Sequence, residues 1–302
     1  MLAVSNAENH LTEDGGNRIT FVDRRTGSLR SMVELAQGSP GFTCPDYPVP
    51  YVAPHGPPRG LAVLSPDSSW GCFPDPNGLA LGRASNGSEY LFSANGGTNN
   101  VSVIDLARAL EGDRSAEIHR IPTQIGPWGI TATPDGRYVI VANGGSQLDG
   151  SAGNTLSIID VDRASAQGED AELARVLVGT DDPDESTHPL IPTVTPDGRE
   201  VIVPNVRADN VSIVSVELAL AGDPGAEVAR ISLAREDGRA ARPKGSAVTS
   251  DGRYAVISGG SSSRPLSQET GYVYILDLQS RTVVATVTGV GNDPYALAIV
   301  TR

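Results

Sequence analysis

The side chains best equipped for chemistry are few and scattered. Of four histidines, His10, His55 and His188 lie in turn-rich stretches, while His119 falls inside an apolar alternation and reads as an outer-strand residue. Three imidazoles converging on one open face would hold Zn2+ or Cu2+ with a coordination position left for water or substrate. A metal-bound water is acidified enough to act as hydroxide near neutral pH. The spacing is not HxH or HExxH, so such a site would have to be assembled by the fold. Asp181-Asp182-Pro183-Asp184-Glu185 precedes His188. Asp182 and Asp184 are candidate acids beside an imidazole, and clustered carboxylates also attract Ca2+, although this run lacks the spacing of a calcium loop. Lys244 is the only lysine in the chain, and a desolvated lysine is a candidate nucleophile. No Ser/His/Asp order, phosphate-binding glycine loop or nucleotide fingerprint can be placed.

The elements that must position these groups are short strands. From Gly126 to Asp162 the chain reads GPWGITATPDGRYVIVANGGSQLDGSAGNTLSIIDVD. Runs of four to six residues rich in Val, Ile, Thr and Tyr alternate with Pro-Asp-Gly-Arg and Asn-Gly-Gly breaks, the pattern of strands joined by tight turns. Asp-Gly tolerates the positive φ that such turns require, so Pro134–Arg137, Pro196–Arg199 and Ser250–Arg253 read as hairpins.

The same four-strand unit, A to D, recurs. It runs through Gly78–Leu81, Tyr90–Asn95, Val101–Asp105 and Glu117–Ile121, then through the stretch quoted above, closed by Ala174–Val178. Further copies are Pro192–Thr195 to Val228–Leu233 and Ser246–Thr249 to Val283–Val287. The N-terminus supplies strands B, C and D (Leu2–Ser5, Arg18–Asp23, Leu29–Leu35), and Ala296–Thr301 reads as a lone strand A. Four-stranded repeats of this period predict an all-β, single-domain β-propeller. Five blades are read, with six or seven as alternatives, and strand A at one end is expected to complete the N-terminal blade. Residues 37–74 are too rich in Pro and Gly for a sheet interior and form an irregular insertion. LARALEGDRSAEIHRI, DRASAQGEDAELARVL and ELALAGDPGAEVARI predict short helices between strands C and D of three units.

With that topology, loops B–C and D–A open on one face around the channel. A proline enters each strand A. Before it stand Asp75, Gly126, His188, Arg242 and Asp293; after it stand Asn77, Trp128, Leu190, Lys244 and Tyr295. Such diversity at equivalent places suits a binding funnel, in which Trp128 and Tyr295 supply apolar contact and Asp75, Asn77, Arg242, Lys244 and Asp293 polar recognition. By contrast Asn6, Asn95, Asn143 and Asn205 recur at the end of strand B, which argues for a structural amide.

The segments PWGITATPDGRYVIVAN–NTLSIIDV, IPTVTPDGREVIVPN–NVSIVSV, KGSAVTSDGRYAVISG–GYVYILDL and NGLALGRASNGSEYLFSAN–NNVSVIDL resemble the YVTN-type β-propeller repeat family, which includes surface-layer and lactonase-like propellers. The resemblance covers most of the chain outside 37–74. It implies a propeller scaffold and leaves function open among ligand binding, hydrolysis and a structural surface-layer module.

Bulk composition narrows the partners. Net charge is −13 over 302 residues, which repels phosphate backbones and disfavours nucleic acid. No run approaches the ~18 apolar residues of a membrane span, and no signal peptide is visible at the N-terminus. Cys44 and Cys72 lie in one irregular segment and are a candidate disulfide; two free thiols are the alternative. A disulfide would place the chain in an oxidising compartment: secreted, periplasmic or on the cell surface. The leading expectation is a monomeric propeller that binds a small molecule or a partner protein at the channel face. The alternative is a metal-assisted hydrolase using His10, His55 and His188.

Overall fold

A computed structural model describes residues 1–6, 17–36, 74–145, 153–168, 170–233, 235, 238–260 and 271–300. Within them the strands form five antiparallel sheets, each laid down as consecutive hairpins. The first sheet has three strands, β1 (Leu2–Asn6), β2 (Arg18–Val22) and β3 (Leu29–Glu34). The second runs β4 (Pro76–Arg83), β5 (Glu89–Asn95), β6 (Asn100–Asp105) and β7 (Glu117–Pro122). The third comprises β8 (Pro127–Ala132), β9 (Tyr138–Asn143), β10 (Thr155–Asp160) and β11 (Glu172–Leu177). The fourth comprises β12 (Thr193–Val194), β13 (Glu200–Asn205), β14 (Asn210–Ser215) and β15 (Glu227–Ser232). The fifth comprises β16 (Pro243–Val248), β17 (Tyr254–Gly259), β18 (Tyr272–Asp277) and β19 (Thr282–Thr288). Strand β12 is short because Pro189 and Pro192 offer no amide to the ladder; only an isolated bridge, Pro189 to Asn205, extends it.

The central strands are apolar on both faces, which sandwiches each sheet between its neighbours. Phe92, Val101 and Val103 of the second sheet pack on Val139, Val141 and Ile159 of the third. Ile140, Leu156 and Ile158 of the third meet Val201, Val203 and Val214 of the fourth. Ile202, Val211 and Ile213 meet Ala255, Ile257 and Leu276 of the fifth. Ile19, Phe21 and Val33 of the first sheet join Leu91 and Ile104 of the second. Four clusters therefore stack five sheets in chain order. The expected helices form as α1 (Leu106–Leu110), α2 (Val161–Ala166) and α3 (Val216–Leu220), each N-capped by the last residue of strand C: Asp105, Asp160 and Ser215.

Each expected hairpin turn is built the same way. Thr133 Oγ1 donates to Asp135 at 2.6 Å while Asp135 accepts the amide of Arg137 at 3.0 Å, and Thr195/Asp197 and Thr249/Asp251 repeat the pattern. These contacts hold all three carboxyls below their ordinary range. The recurrent strand-B asparagines are structural amides: they bind side chains of strand C. Asn205 donates to Asn210 at 2.8 Å and Ser212 at 2.7 Å. Ser212 contacts Glu227 of strand D, which pairs with Arg230. Asn95, Asn100, Ser102, Glu117 and Arg120 form the matching chain two units away, in the second sheet.

The C-terminal segment differs from the strand expected over Ala296–Thr301. Residues 289–300 follow no regular strand, and β1 is an edge strand of a three-stranded sheet. No buried cluster among the described residues joins the fifth sheet to the first, and β19 is exposed along its length. Tyr295 nevertheless reaches the innermost position beside β16: Ser258 Oγ donates to its carbonyl at 2.9 Å, as Ser5 Oγ donates to the carbonyl of Asn77 at 2.7 Å.

Candidate functional site

Loops B–C and D–A meet on one face, as the topology requires. Asn99, in the turn between β5 and β6, accepts the amide of Gly126 at 2.9 Å, and Asp209, in the turn between β13 and β14, accepts that of Arg242 at 2.8 Å. Three of the residues before the inner-strand prolines are tied to the end of strand B: the amides of Gly96, Gly144 and Val206 donate to the carbonyls of Asp75, Gly126 and His188. One backbone shape recurs at all five positions. Asp75, Gly126, His188, Arg242 and Asp293 all have positive φ, between 45° and 63°. Four of the five are not glycine, the residue that adopts this region most readily, and two of those four are Asp, the next most tolerant type. The shape is shared while the side chains differ, so the fold constrains the backbone and leaves the side chain free to vary.

The residues after the prolines stand in sequence. A Cβ on Gly78 would lie 2.8 Å from the carbonyl oxygen of Trp128, Gly129 abuts that of Leu190, and Gly245 that of Tyr295. Between them, the amide of Ile191 donates to the carbonyl of Lys244 at 3.2 Å. Asn77, Trp128, Leu190, Lys244 and Tyr295 are therefore consecutive members of one inner row. The glycines of Pro-Asn-Gly, Pro-Trp-Gly and Pro-Lys-Gly are what let successive backbones approach so closely, and this recurrent Pro-x-Gly was the overlooked signal for the row. Leu190 and Lys244 are buried, Asn77 and Trp128 half-buried, and Tyr295 is exposed.

The row carries one ionic cluster. Lys244, 3 % exposed, pairs through Nζ with Asp293 and stands 5.4 Å from the centroid of the Tyr295 ring. Burial, and then the Arg242 charge, bring its ammonium down to about 8. His188, also buried, shares a hydrogen bond between Nδ1 and the carbonyl of Gly144. Since a carbonyl only accepts, Nδ1 carries the proton and Nε2 presents its lone pair. Burial first, then the charges of Arg207 and Lys244, lower the pKa of His188 and keep it neutral.

The acidic run before His188 is a turn. Asp182 accepts the amide of Asp184 at 2.9 Å, Glu185 accepts the hydroxyl of Thr180, and Asp181 pairs with Arg230 at 3.0 Å; Asp182 and Asp184 are solvent-exposed. Among the described residues no three His, Cys, Asp or Glu side chains gather as metal ligands. His10, His55, Cys44 and Cys72 lie outside the described residues, as does most of the 37–74 insertion. No helix of the described residues is long and apolar enough to cross a membrane.

Consecutive four-stranded sheets with inner strands in one row define the chain as a β-propeller. It is similar to hydrazine synthase of Kuenenia stuttgartiensis, with 20 % identity, a TM-score of 0.54, and coverage of 88 % of this chain and 58 % of that one. The chain thus spans a little over half the length of that protein. A candidate 6-phosphogluconolactonase from Bacteroides uniformis ATCC 8492 aligns at 12 % identity and a TM-score of 0.49, covering 89 % and 67 %. At these identities the likeness is one of fold. No family model matches the sequence, and no curated protein does.

Proposed function

We propose that this propeller binds a small molecule at the inner row, with Trp128 and Tyr295 as apolar contacts and Lys244, Arg242, Asp293, Asp75 and Asn77 as the polar ones. One observation carries the reading. Four non-glycine residues occupy a left-handed backbone site where glycine would be unstrained, at a cost on the order of 1 kcal/mol each. His188 and Arg242 carry this cost with side chains that the backbone shape itself does not require. The oxidising compartment and the YVTN-type relationship belong to the same proposal. The chain contains two tryptophans, so Trp70→Phe leaves Trp128 as the only indole. In that background, titration with glycolaldehyde, pyruvate and gluconate should give saturable quenching by at least one probe, lost in Asn77→Ala/Trp128→Phe as followed by thermal shift. No saturable response to any of the three overturns the proposal.

A second reading, metal-assisted hydrolysis, is favoured by the Nε2 lone pair of neutral His188. Elemental analysis of purified protein should then show one equivalent of Zn or Cu, reduced at least tenfold by His188→Ala. Metal-free folded protein sinks this reading.

A further inference from the structure

We infer that Lys244 is an amine nucleophile that captures the carbonyl group of a small aldehyde or keto acid as an imine. This rests on the inner row being a ligand site and names the class of ligand.

Three observations converge. The only lysine of the chain is almost fully buried, a position lysines rarely take unless paired. Its Nζ meets the carboxylate of Asp293, whose side chain is about one-third exposed, so the amine lies one contact below the surface. The carboxylate is placed to take a proton from the ammonium and return it to a departing oxygen. Tyr295, exposed and beside Nζ, offers a flat apolar wall. The Arg242 charge acts on Lys244, opposing its protonation and favouring an anionic substituent on the ligand. A desolvated amine next to a second cation is the established way to make lysine nucleophilic near neutral pH.

The step balances without a co-reactant. Asp293 accepts a proton from the ammonium, and the freed Nζ lone pair attacks the carbonyl carbon as the C=O π pair moves to oxygen. The nitrogen of this adduct, now a secondary ammonium, passes one of its protons to that oxygen, giving a neutral carbinolamine. Protonation of its hydroxyl by the Asp293 carboxylic acid lets it leave as water, while the nitrogen lone pair forms the C=N bond of a protonated imine.

Because the chain has one lysine, the test reads a single residue. Native protein is incubated with glycolaldehyde or pyruvate and sodium cyanoborohydride, which reduces the imine to a stable secondary amine, and the modified residue is located by peptide mass spectrometry. Lys244 should be modified with a rate that saturates in probe concentration and is at least tenfold faster in native protein than in urea-unfolded protein at the same pH. Asp293→Asn should slow it at least tenfold while half-saturation moves less than twofold. A Lys244 that is unmodified while the N-terminal amine reacts, or that reacts no faster than in urea, overturns the inference. If the same probe still quenches Trp128 saturably under those conditions, the binding row stands and only the covalent step fails. If neither that probe, nor the other carbonyl probe, nor gluconate does, both fail.

Discussion

The hydroxyl of Ser258 donates to the backbone carbonyl of Tyr295 at 2.9 Å, which fixes the C-terminal segment to the fifth sheet although that segment belongs to no strand. The bond has a counterpart: Ser5 holds the carbonyl of Asn77 at 2.7 Å in the same way. One serine position, just before the end of strand B, thus seats the next inner element at both ends of the array.

Removing that hydroxyl should loosen the segment selectively. Ser258 Oγ also accepts the buried amide of Gly245 at 3.0 Å, so Ser258→Ala is expected to cost about 1–3 kcal/mol in urea unfolding, the net value of two hydrogen bonds. It should also raise amide exchange at Ala296 and Leu297 well above that in β13 and β14. Uniform exchange across both regions would contradict the seating role.

The shared left-handed residue separates backbone from side-chain effects. Arg242→Gly should leave stability unchanged or raise it by up to about 1 kcal/mol, because glycine relieves the positive φ. Binding at the inner row should weaken in the same variant. Gly126→Ala should behave oppositely and lose more than 1 kcal/mol, since a Cβ there meets the backbone of Gly145 as well as a φ of +63°. Denaturant midpoints decide both.

The buried polar chain is the next point of sensitivity. Asn205→Ala leaves the buried Asn210 and Ser212 without their donor, an uncompensated loss worth about 1–3 kcal/mol. Arg175→Ala removes only a surface partner of Glu172 and should change stability by less than about 1 kcal/mol. Equal losses for the two variants would show that the chain does not act as a buried network.

Lys244 makes stability depend on alkaline pH with a definite sign. Its pKa stands at about 8 in the folded protein and near the ordinary 10.4 when unfolded. Between these values the unfolded state binds the extra proton, so stability attributable to Lys244 rises with pH through that window. Asp293, Arg242, Tyr295 and neutral His188 are the titratable or charged groups around it. The difference in unfolding free energy between wild type and Lys244→Met should grow from pH 8 to 10.5; a flat difference would contradict the desolvated state.

Short runs rich in Val, Ile, Thr and Tyr, Asp-Gly turns and the recurrence of the unit placed nearly every strand, the three short helices and the prolines of the inner row, because these features depend on local backbone preference and on burial of both sheet faces. The sequence also brought Asp75, His188, Arg242 and Asp293 into register, since repeats align residues without reference to space. Tertiary structure alone decided their common left-handed backbone and the burial of Lys244 against Asp293, 49 positions away along the chain. It also decided that Ala296–Val300 would not form the strand its apolar run allows. A strand exists only where another edge accepts its hydrogen bonds, and local residues cannot say whether that edge is alongside.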